Sequence, residues 1–332
     1  MKVAGILLGI LATSAVAVFG WSMFGTGAGE SASNPDRIAA HYDAPGNDSV
    51  HQLMDRLRPL HRRLETPRPG DWLNEHDEPG QSYDQYVAGN PNRALGTRRV
   101  LYIQPVGDFT PTQRKIVSLT ADFMSRYFCL PVKVKKDLPL SKIPQKARRV
   151  HPSWGMPQIL TTYVLDEVLA PQLPGDAAAL IAFTASDLWA GPDWNFVFGQ
   201  ASLRDRVGVW SIYRNGDPEQ DDAGFRLCLV RTLKTATHET GHMFSMRHCT
   251  AYECNMCGAN HREESDRRPL EVCPECVAKV WHATGADPLK RVQMLEDFCR
   301  TQNLDDEAAV YQKSGSAIRA GRSERSGAEV GE

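Results

Sequence analysis

Two histidines and a glutamate stand within one helical turn of each other in the second half of the chain. His238 and His242 are four residues apart, so a helix places both imidazoles on one face. Imidazoles in that position suit two of the ligands that a single Zn²⁺ ion requires. Glu239 lies on an adjoining face, close enough to hold a metal-bound water without displacing it. The spacing therefore predicts a metal site with a carboxylate beside it.

His248 completes the pattern HExxHxxSxxH as a third ligand. It is too distant for the same straight helix, so the helix must end and the chain must turn back. Three protein ligands leave zinc one open position, where a water reaches a pKa of about 7. Glu239 is predicted to be the general base that takes this proton and returns it to a leaving amine. The turn after the second ligand favours glycine, because its left-handed backbone conformation costs other residues free energy. This chain has Ser245 there, at a cost of roughly 1 kcal/mol.

A second set of metal-ligand residues follows at once, since five of the 8 cysteines fall between 249 and 276. The pairs C-x4-C (Cys249, Cys254) and C-x2-C (Cys273, Cys276) satisfy a closed, structural zinc site with four cysteine ligands. Two disulfides are the alternative in an exported protein. Cys257 makes the ligand set less than unique. Core positions are predicted for the cysteines without partners at recognisable spacing, which are Cys129, Cys228 and Cys299.

The elements that position these residues indicate an α+β (α/β-like) domain with a mixed sheet. Apolar runs predict strands at 100–103, 131–134, 178–183, 196–198 and 207–212. Periodic spacing predicts helices at 48–57, 110–127, 159–169, 225–244, 277–282 and 288–299. Thr110 and Gln113 form a capping box for the second of these helices. The metal-ligand residues thus begin at the C-terminal end of a long helix that follows the sheet.

The chain divides into four predicted segments. Residues 1–24 carry an uncharged run from Val3 to Phe24, which predicts a signal peptide or an N-terminal membrane anchor. Residues 25–66 are predicted to be a linker with a short helix, 67–300 the catalytic domain and 301–332 a disordered tail. Within the domain, the proline- and glycine-rich stretch 67–98 is predicted to be an irregular arm over the surface, fixed by its aromatic residues. The leader predicts export or membrane anchoring, with a cytoplasmic location as the alternative.

Charge and composition exclude one broad class of partner. The net charge is -2 and the sequence pI is about 6.6, so the chain lacks the basic footprint of nucleic-acid binders. Its 42% of hydrophobic residues suffice for a sizeable core. A peptide substrate is the predicted partner, with residues 3–24 as a membrane tether, and the sequence leaves the oligomeric state open.

The metal-ligand stretch resembles the archaemetzincin family of zinc metallopeptidases, within the metzincin clan. The likeness rests on HExxHxxSxxHC, on Cys254-Asn255-Met256, on CxxC at 273–276 and on NHREESDRRPLEVCPEC from Asn260 onward. A weaker likeness covers about 69–300. The resemblance implies a compact, zincin-like metzincin fold with a mixed twisted sheet and an active-site helix. It also implies a C-terminal zinc-stabilised helical subdomain and a substrate cleft beneath an edge strand.

The same resemblance implies two zinc ions per chain and no other cofactor. The catalytic zinc would have Glu239 as base and three histidine ligands, His238, His242 and His248. The structural zinc would have four cysteine ligands, Cys249, Cys254, Cys273 and Cys276. Met256 would form the Met-turn beneath the catalytic metal. Aminopeptidase-like activity on small peptides is implied as well.

Substrate binding gives two further expectations and a rival function. Backbone within 195–201 is predicted to pair with an extended peptide substrate. Glu263 and Glu264 are candidates for holding a substrate amine, the alternative being a structural charge network with Asp266, Arg267 and Arg268. The rival is a non-catalytic zinc-binding interaction protein that keeps the structural four-cysteine zinc as its scaffold and holds a metal without turnover, and it would have no use for Glu239.

Overall fold

A computed structural model of the protein describes residues 46–328. Its strands are β1 (Val100–Val106), β2 (Val132–Val134), β3 (Arg148–Val150), β4 (Pro157–Leu160), β5 (Ala177–Thr184), β6 (Asp187–Trp189), β7 (Gly199–Ala201) and β8 (Val207–Ser211). Its α-helices are α1 (Asn47–Leu57), α2 (Trp72–Glu75), α3 (Tyr83–Ala88), α4 (Pro111–Phe128), α5 (Thr161–Tyr163), α6 (Asp222–Met243), α7 (Arg262–Arg267), α8 (Pro274–Thr284), α9 (Pro288–Thr301) and α10 (Asp305–Ala328). Helix α5 continues into π-helical turns over Val164–Leu169.

The main sheet has the strand order β2-β1-β5-β8-β7. Strand β1 pairs in parallel with β2 and β5, and β5 pairs in parallel with β8. Strand β7 pairs antiparallel with β8 and lies at the edge of the sheet. A smaller sheet has the order β3-β4-β6. The predicted α+β class with a mixed sheet is therefore confirmed.

Strand β5 is buried along its whole length because both faces of the sheet are covered. Ile181 and Phe183 join the core formed with α4 and α6, whereas Leu180 and Ala182 join a second cluster that includes the π-helical turns. Alternate side chains of one strand thus supply two cores. This explains why its sequence is a continuous apolar run rather than an alternating one.

Helices α4 and α6 both begin at side-chain caps. The Thr110 hydroxyl accepts from the Gln113 backbone N–H while the Gln113 side chain accepts from the Thr110 N–H, so the predicted capping box is confirmed. Helix α6 begins at Asp222 rather than at 225, because the Asp221 carboxylate accepts from Gly224 N at 2.7 Å. The earlier start gives α6 an additional turn before the metal-ligand residues.

Two local predictions are wrong at their boundaries. Ile159 and Leu160 belong to β4, which pairs with β3 and β6, and the helix begins only at Thr161. The stretch 196–198 forms no named strand; Val197 makes a single bridge to Leu188, and the edge strand begins at Gly199. Short apolar runs satisfy either kind of element, so periodicity alone did not separate them.

The tail predicted to be disordered is instead largely helical. Helix α10 runs from Asp305 to Ala328 and packs along α9. Its segment is polar and small overall, but Leu304, Ala308, Tyr311 and Ile318 recur at helical spacing and are buried. Burial of that one stripe compensates for a composition that suggests disorder. The segment from Leu304 to Ile318 therefore belongs to the folded body.

The structure begins at residue 46, so it describes only some of the residues to which the N-terminal predictions apply. The short helix is present as α1, whose Leu53 and Leu57 are buried in the main core. Residues 46–328 contain no helix that combines the length and apolar character needed to cross a bilayer. The signal peptide or anchor predicted at 1–24 lies outside the described part of the chain.

Candidate metal centres

Helix α6 and the turn after it carry the three histidines. His238 and His242 lie in the last two turns of α6, which ends at Met243. Ser245 adopts the left-handed conformation with φ 64, as the sequence predicted for this position. Ser245 N donates to His242 O at 2.7 Å and Met246 N donates to Gly241 O at 3.1 Å, which closes the helix end. The reversal brings His248 back beside the other two imidazoles.

The three imidazoles converge with their ring nitrogens within 4.8 Å of one another. His238 Nδ1 lies 2.7 Å from Asn255 O and His242 Nδ1 lies 2.7 Å from Met246 O. A carbonyl only accepts, so each Nδ1 carries the proton and each Nε2 presents a lone pair. The two Nε2 atoms lie 3.0 Å apart. Two facing lone pairs at that distance repel unless a cation lies between them, and zinc bound by histidine at ~2.0–2.1 Å fits this donor set.

Burial fixes the protonation of the site. Burial lowers the pKa of His238 to about 4 and holds the pKa of His242 well below its ordinary value. Both imidazoles are therefore neutral, as metal ligands must be. Burial also raises the pKa of the Glu239 carboxyl to about 8. A cation at the three imidazoles opposes that shift, because an adjacent positive charge favours the ionised carboxylate.

Glu239 faces the edge strand of the sheet. A Cβ atom on Gly199 would lie 2.7 Å from the Glu239 Oε1 atom, so only glycine lets β7 approach the carboxylate this closely. The glutamate is thereby held between α6 and the strand that borders the cleft. Sequence reasoning did not identify Gly199, although a glycine in an edge strand next to a predicted cleft was an available signal.

Met256 lies beneath the histidines, at the position predicted for a Met-turn. It is 1% exposed, and a Cβ atom on Gly241 would lie 2.6 Å from its sulfur. Gly241 stands between the two histidines of α6, so the methionine packs directly under the turn that carries them. The Met256 carbonyl accepts from Cys249 N at 2.8 Å, which ties this loop to the residue after His248.

Glu78 orients the third histidine and was missed by sequence reasoning. Its two carboxylate oxygens lie 3.0 and 2.9 Å from His248 Nδ1. Burial favours the neutral form of Glu78, but the hydrogen bond with His248 lowers its carboxyl pKa overall. The bond directs the Nδ1 proton away from the cluster, which leaves His248 Nε2 for the metal. The only sequence signal was an acidic residue in the arm, 170 positions before its partner.

The arm at 67–98 is laid over the site by polar and aromatic contacts. The Trp72 ring meets His248 edge to face with centroids 5.2 Å apart. The Tyr86 hydroxyl donates to Phe244 O at 2.8 Å, and Asn92 N donates to the Ser245 hydroxyl oxygen at 3.0 Å. The predicted surface arm is thus present and its aromatic residues contribute to its attachment, but it is not irregular throughout, because it forms the short helices α2 and α3.

The four predicted cysteine ligands come together directly behind His248. Their sulfur atoms lie within 4.8 Å of one another, and Cys249 Sγ is 3.6 Å from Cys273 Sγ. Cys249 is 4% exposed and the other three are fully buried. Met256 N and Cys273 N donate to Cys254 Sγ at 3.4 and 3.2 Å. The backbone N–H donors favour the thiolate form of the sulfurs. Four sulfurs this close together could bind one zinc ion at ~2.3 Å from each.

The remaining cysteines are not members of this set of four, although the Cys257 side chain contacts that of Cys249. All eight cysteines are free, so the disulfide alternative does not describe the structure. The Cys257 thiol donates to Tyr252 O at 3.2 Å and lines the cleft instead of joining the four sulfurs. Cys228 and Cys299 are buried and Cys129 is half-buried. The predicted core position therefore agrees with Cys228 and Cys299 but not fully with Cys129.

The acidic residues after His261 serve the loop and do not face the cleft. The Glu264 carboxylate accepts from Trp72 N at 3.0 Å and from Asn260 N at 2.8 Å. Glu263 is exposed beside the His261 ring. Asp266 and Arg267 form ion pairs of 2.5 Å with Arg231 and 2.6 Å with Asp71, and Arg268 pairs with Glu253. These contacts match the charge-network alternative.

A cleft of about 470 Å³ opens over the histidines. The stretch 193–201, which ends in β7, lines it together with Ala259, Asn260, Ser265 and Arg268. Trp72 and Trp194 stack at its mouth with ring centroids 6.4 Å apart. Glu239 and the three imidazoles form the floor. The candidate metal site therefore opens into a cleft that the edge strand β7 also lines.

Comparison with known proteins places these residues in a recognised group. The model of peptidase family M54 matches residues 177–282. Archaemetzincin-2 of Rattus norvegicus is 31% identical over 314 residues, which cover 85% of this chain and 87% of that protein. Archaemetzincin-2 of Homo sapiens is 32% identical over 278 residues, or 74% of this chain and 76% of its own. A crystal structure of archaemetzincin from Methanopyrus kandleri aligns with 57% of this chain and 96% of its own, with 29% identity and a TM-score of 0.45.

Proposed function

The chain belongs to the archaemetzincin family of zinc metallopeptidases, and we propose that His238, His242 and His248 hold its catalytic zinc while Glu239 is the general base. The observation that supports this assignment is the convergence of imidazole lone pairs beside a buried carboxylate. When bound, zinc supplies Lewis-acid polarisation and an acidified water. The protein's own contribution is to hold three neutral nitrogens and one carboxylate in a sheltered cleft.

Glu239 has the position that a proton carrier in this cleft needs. The contact with Gly199 holds its carboxylate at the border between α6 and the edge strand. In the proposed mechanism, Glu239 accepts a proton from the attacking water and delivers it to the amine that leaves. Burial alone raises the pKa of Glu239 to about 8, and a cation held by the three imidazoles would lower that pKa again, so that the ionised carboxylate can first accept the proton and then return it.

Strand β7 is the proposed binding surface for the peptide backbone. It pairs with β8 on one side and lies at the sheet edge on the other. An extended substrate would add as the next strand, with its backbone N–H and C=O groups paired to β7. The prediction that 195–201 binds substrate is in keeping with this, because the whole stretch lines the cleft. Pairing of this kind would place the scissile bond over Glu239.

The four-cysteine set is the proposed site of a second, structural zinc. Its sulfurs are buried and lack access to the cleft, so a metal there would have no open position. Two zinc ions per chain would then differ in accessibility. The closed site supports the open one through the adjacent residues His248 and Cys249.

The test of the catalytic assignment is Glu239→Gln, which keeps the side-chain volume and removes the base. We expect kcat of the zinc-loaded full-length protein on a fluorogenic peptide to fall by ~10²–10⁴, because general base catalysis is lost. Zinc content, measured by mass spectrometry of the metal, should remain at the wild-type value. Glu75→Gln on the exposed face of α2 is the matched control. Peptide cleavage at the wild-type rate in Glu239→Gln would refute the assignment.

Aminopeptidase-like cleavage of small peptides belongs to the same proposal. It requires that the cleft favour substrates with a free amino terminus. Comparison of kcat/KM for a short peptide and its N-acetyl counterpart tests this preference directly. Equal values for the two peptides would instead assign endopeptidase-like selectivity.

Export or membrane anchoring through residues 3–24 is the proposed location, based only on the apolar leader. Fractionation of cells that express the full chain, followed by carbonate extraction of the membranes, tests it. Resistance to extraction indicates an anchor, and a shortened chain in the exported fraction indicates a cleaved signal. A full-length chain that is only in the cytoplasmic fraction would refute the proposal.

A further inference from the structure

Lys234 is a buried cation on the wall of the cleft. It lies in α6 four residues before His238, and its side chain is 7% exposed. Four residues of α-helix advance ~6 Å along the axis and return to the same face. Lys234 therefore lies one turn from the histidines, and it lines the same cleft as Glu239.

The ammonium group of Lys234 forms no ion pair among the described residues, although the Asp266 and Glu307 carboxylates attract it from a greater distance. Its Nζ donates to Arg268 O at 2.6 Å and to Ser265 O at 3.4 Å. The nearby Asp266 carboxylate is bound to Arg231 at 2.5 Å, and the Glu253 carboxylate is bound to Arg268. Two carbonyl oxygens do not offset the cost of burying a full charge. An ammonium has three donors, so one remains for a ligand.

A second cation, Arg268, lies at the same part of the cleft, and its guanidinium is already paired with Glu253 and lies 3.7 Å from Glu264. Its buried Nε atom has no hydrogen-bond partner in the described structure. Burial lowers the pKa of the Lys234 ammonium, and the Arg262 and Arg231 guanidiniums add to this, whereas the Asp266 and Glu307 carboxylates act in the opposite direction. The carboxylate of a ligand would supply a countercharge and would accept hydrogen bonds from the free N–H donors.

We propose that Lys234 forms a carboxylate-binding subsite, so that preferred substrates carry a carboxylate within one residue of the scissile bond. This rests on the proposed peptidase function and specifies its substrate class. The backbones of Lys234 and His238 are ~6 Å apart along α6, and one extended residue of ~3.3–3.6 Å together with its side chain covers that separation. The carboxylate has two sources, the side chain of Asp or Glu or the C-terminus of a short peptide.

The experiment compares acid and amide in matched peptides. One pair carries Glu or Gln beside the scissile bond in a C-terminally amidated peptide, with a version for each side of the bond. A second pair carries Gln and ends in a free carboxylate or an amide one residue after the bond. We expect the acid of at least one pair to exceed its amide in kcat/KM by about tenfold or more, as charge-assisted hydrogen bonds predict. The pair that responds identifies the source of the carboxylate.

Two variants connect the preference to Lys234. Lys234→Gln keeps donors for the two carbonyls and removes the charge, so the acid-to-amide ratio should fall close to one. Lys234→Arg keeps the charge and should retain most of the ratio. Lys142→Gln, at an exposed lysine remote from the cleft, should leave the ratio unchanged. An acid-to-amide ratio near one in the wild type, or an undiminished ratio in Lys234→Gln, would overturn the proposal.

Binding measurements separate this proposal from the proposed function. If the zinc-loaded wild type cleaves none of the peptides, the catalytic assignment fails. Isothermal titration of the same uncleaved acid and amide peptides then still tests Lys234. Tighter binding of the acid by about tenfold supports the subsite, and equal binding refutes it. The wild-type comparison does not depend on any variant that fails to fold.

Discussion

The two sets of metal-ligand residues share a peptide bond and differ in almost everything else. His248 belongs to the cleft and keeps 18% of its side chain exposed, whereas Cys249, the next residue, is 4% exposed. The histidines are held by carbonyl and carboxylate acceptors on their far nitrogens, which leave the near nitrogens free. The cysteines are surrounded by backbone donors and core side chains. One arrangement leaves access for a substrate and the other excludes it.

The comparison teaches how a small loop can be made rigid enough to carry a catalytic ligand. The segment from His248 to Met256 has little secondary structure of its own. Its position is fixed at one end by the cysteine cluster and at the other by the bond between Cys249 N and Met256 O. A closed metal site can thus provide the order that a helix or strand would otherwise supply.

The largest expected effect comes from opening the closed site. Cys276→Ser should lower the zinc content by one ion per chain and the free energy of unfolding by more than ~4 kcal/mol, because structural zinc contributes folding energy directly. Peptidase activity should fall with it, since the loop that carries His248 loses its anchor. Metal analysis and denaturant unfolding measure both effects.

Cys257→Ser is the matched control for that experiment. Its hydroxyl can still donate to Tyr252 O, and the residue lies outside the four-sulfur set. The control should keep two zinc ions and near wild-type stability. If Cys276→Ser kept both ions, or if Cys257→Ser lost one, the division into an open and a closed site would be wrong.

A smaller effect is expected from the arm that supports the open site. Glu78→Ala removes the acceptor that orients His248 Nδ1. The affinity for the exchangeable zinc should fall about 10–100-fold, as with other partners of metal-bound histidine. Competition with a chromogenic chelator measures the change, and the tightly held zinc should not respond.

Glu75→Ala provides the comparison for Glu78→Ala, because it removes an exposed carboxylate from the same arm. It should leave the affinity for the exchangeable zinc at the wild-type value. Wild-type affinity in Glu78→Ala would mean that the arm covers the site without positioning its ligand.

Features were predictable from the sequence where the residues that form them lie close together along the chain. His238, His242 and the four cysteines were identifiable because ligand spacing within a short segment restricts the geometry. Strand β5 and the capping box of α4 were identifiable for the same reason. Glu78 and Gly199 were not, because each acts on a residue far away in sequence and neither has a local pattern.

Helix α10 shows the opposite limitation. Its average composition suggests disorder, yet a stripe of four buried apolar side chains is enough when α9 supplies the opposite face. Composition sums over all faces of a helix, whereas packing uses only one. The π-helical turns at Val164–Leu169 are a similar case, because their apolar spacing is equally compatible with an α-helix.

The smallest predicted effect concerns Ser245, where the open site meets the arm. Its hydroxyl donates to Leu203 O at 2.8 Å and accepts from Asn92 N at 3.0 Å, while its backbone stays left-handed. Ser245→Ala loses both bonds and keeps the strain, whereas Ser245→Gly loses both bonds and relieves roughly 1 kcal/mol of strain. Ser245→Ala should therefore be the less stable variant, by about 1 kcal/mol in denaturant unfolding. Equal stability of the two variants would mean that the turn relaxes when the hydroxyl is removed. The serine would then serve to fasten the arm over His248, and the strain that it bears would depend on that attachment.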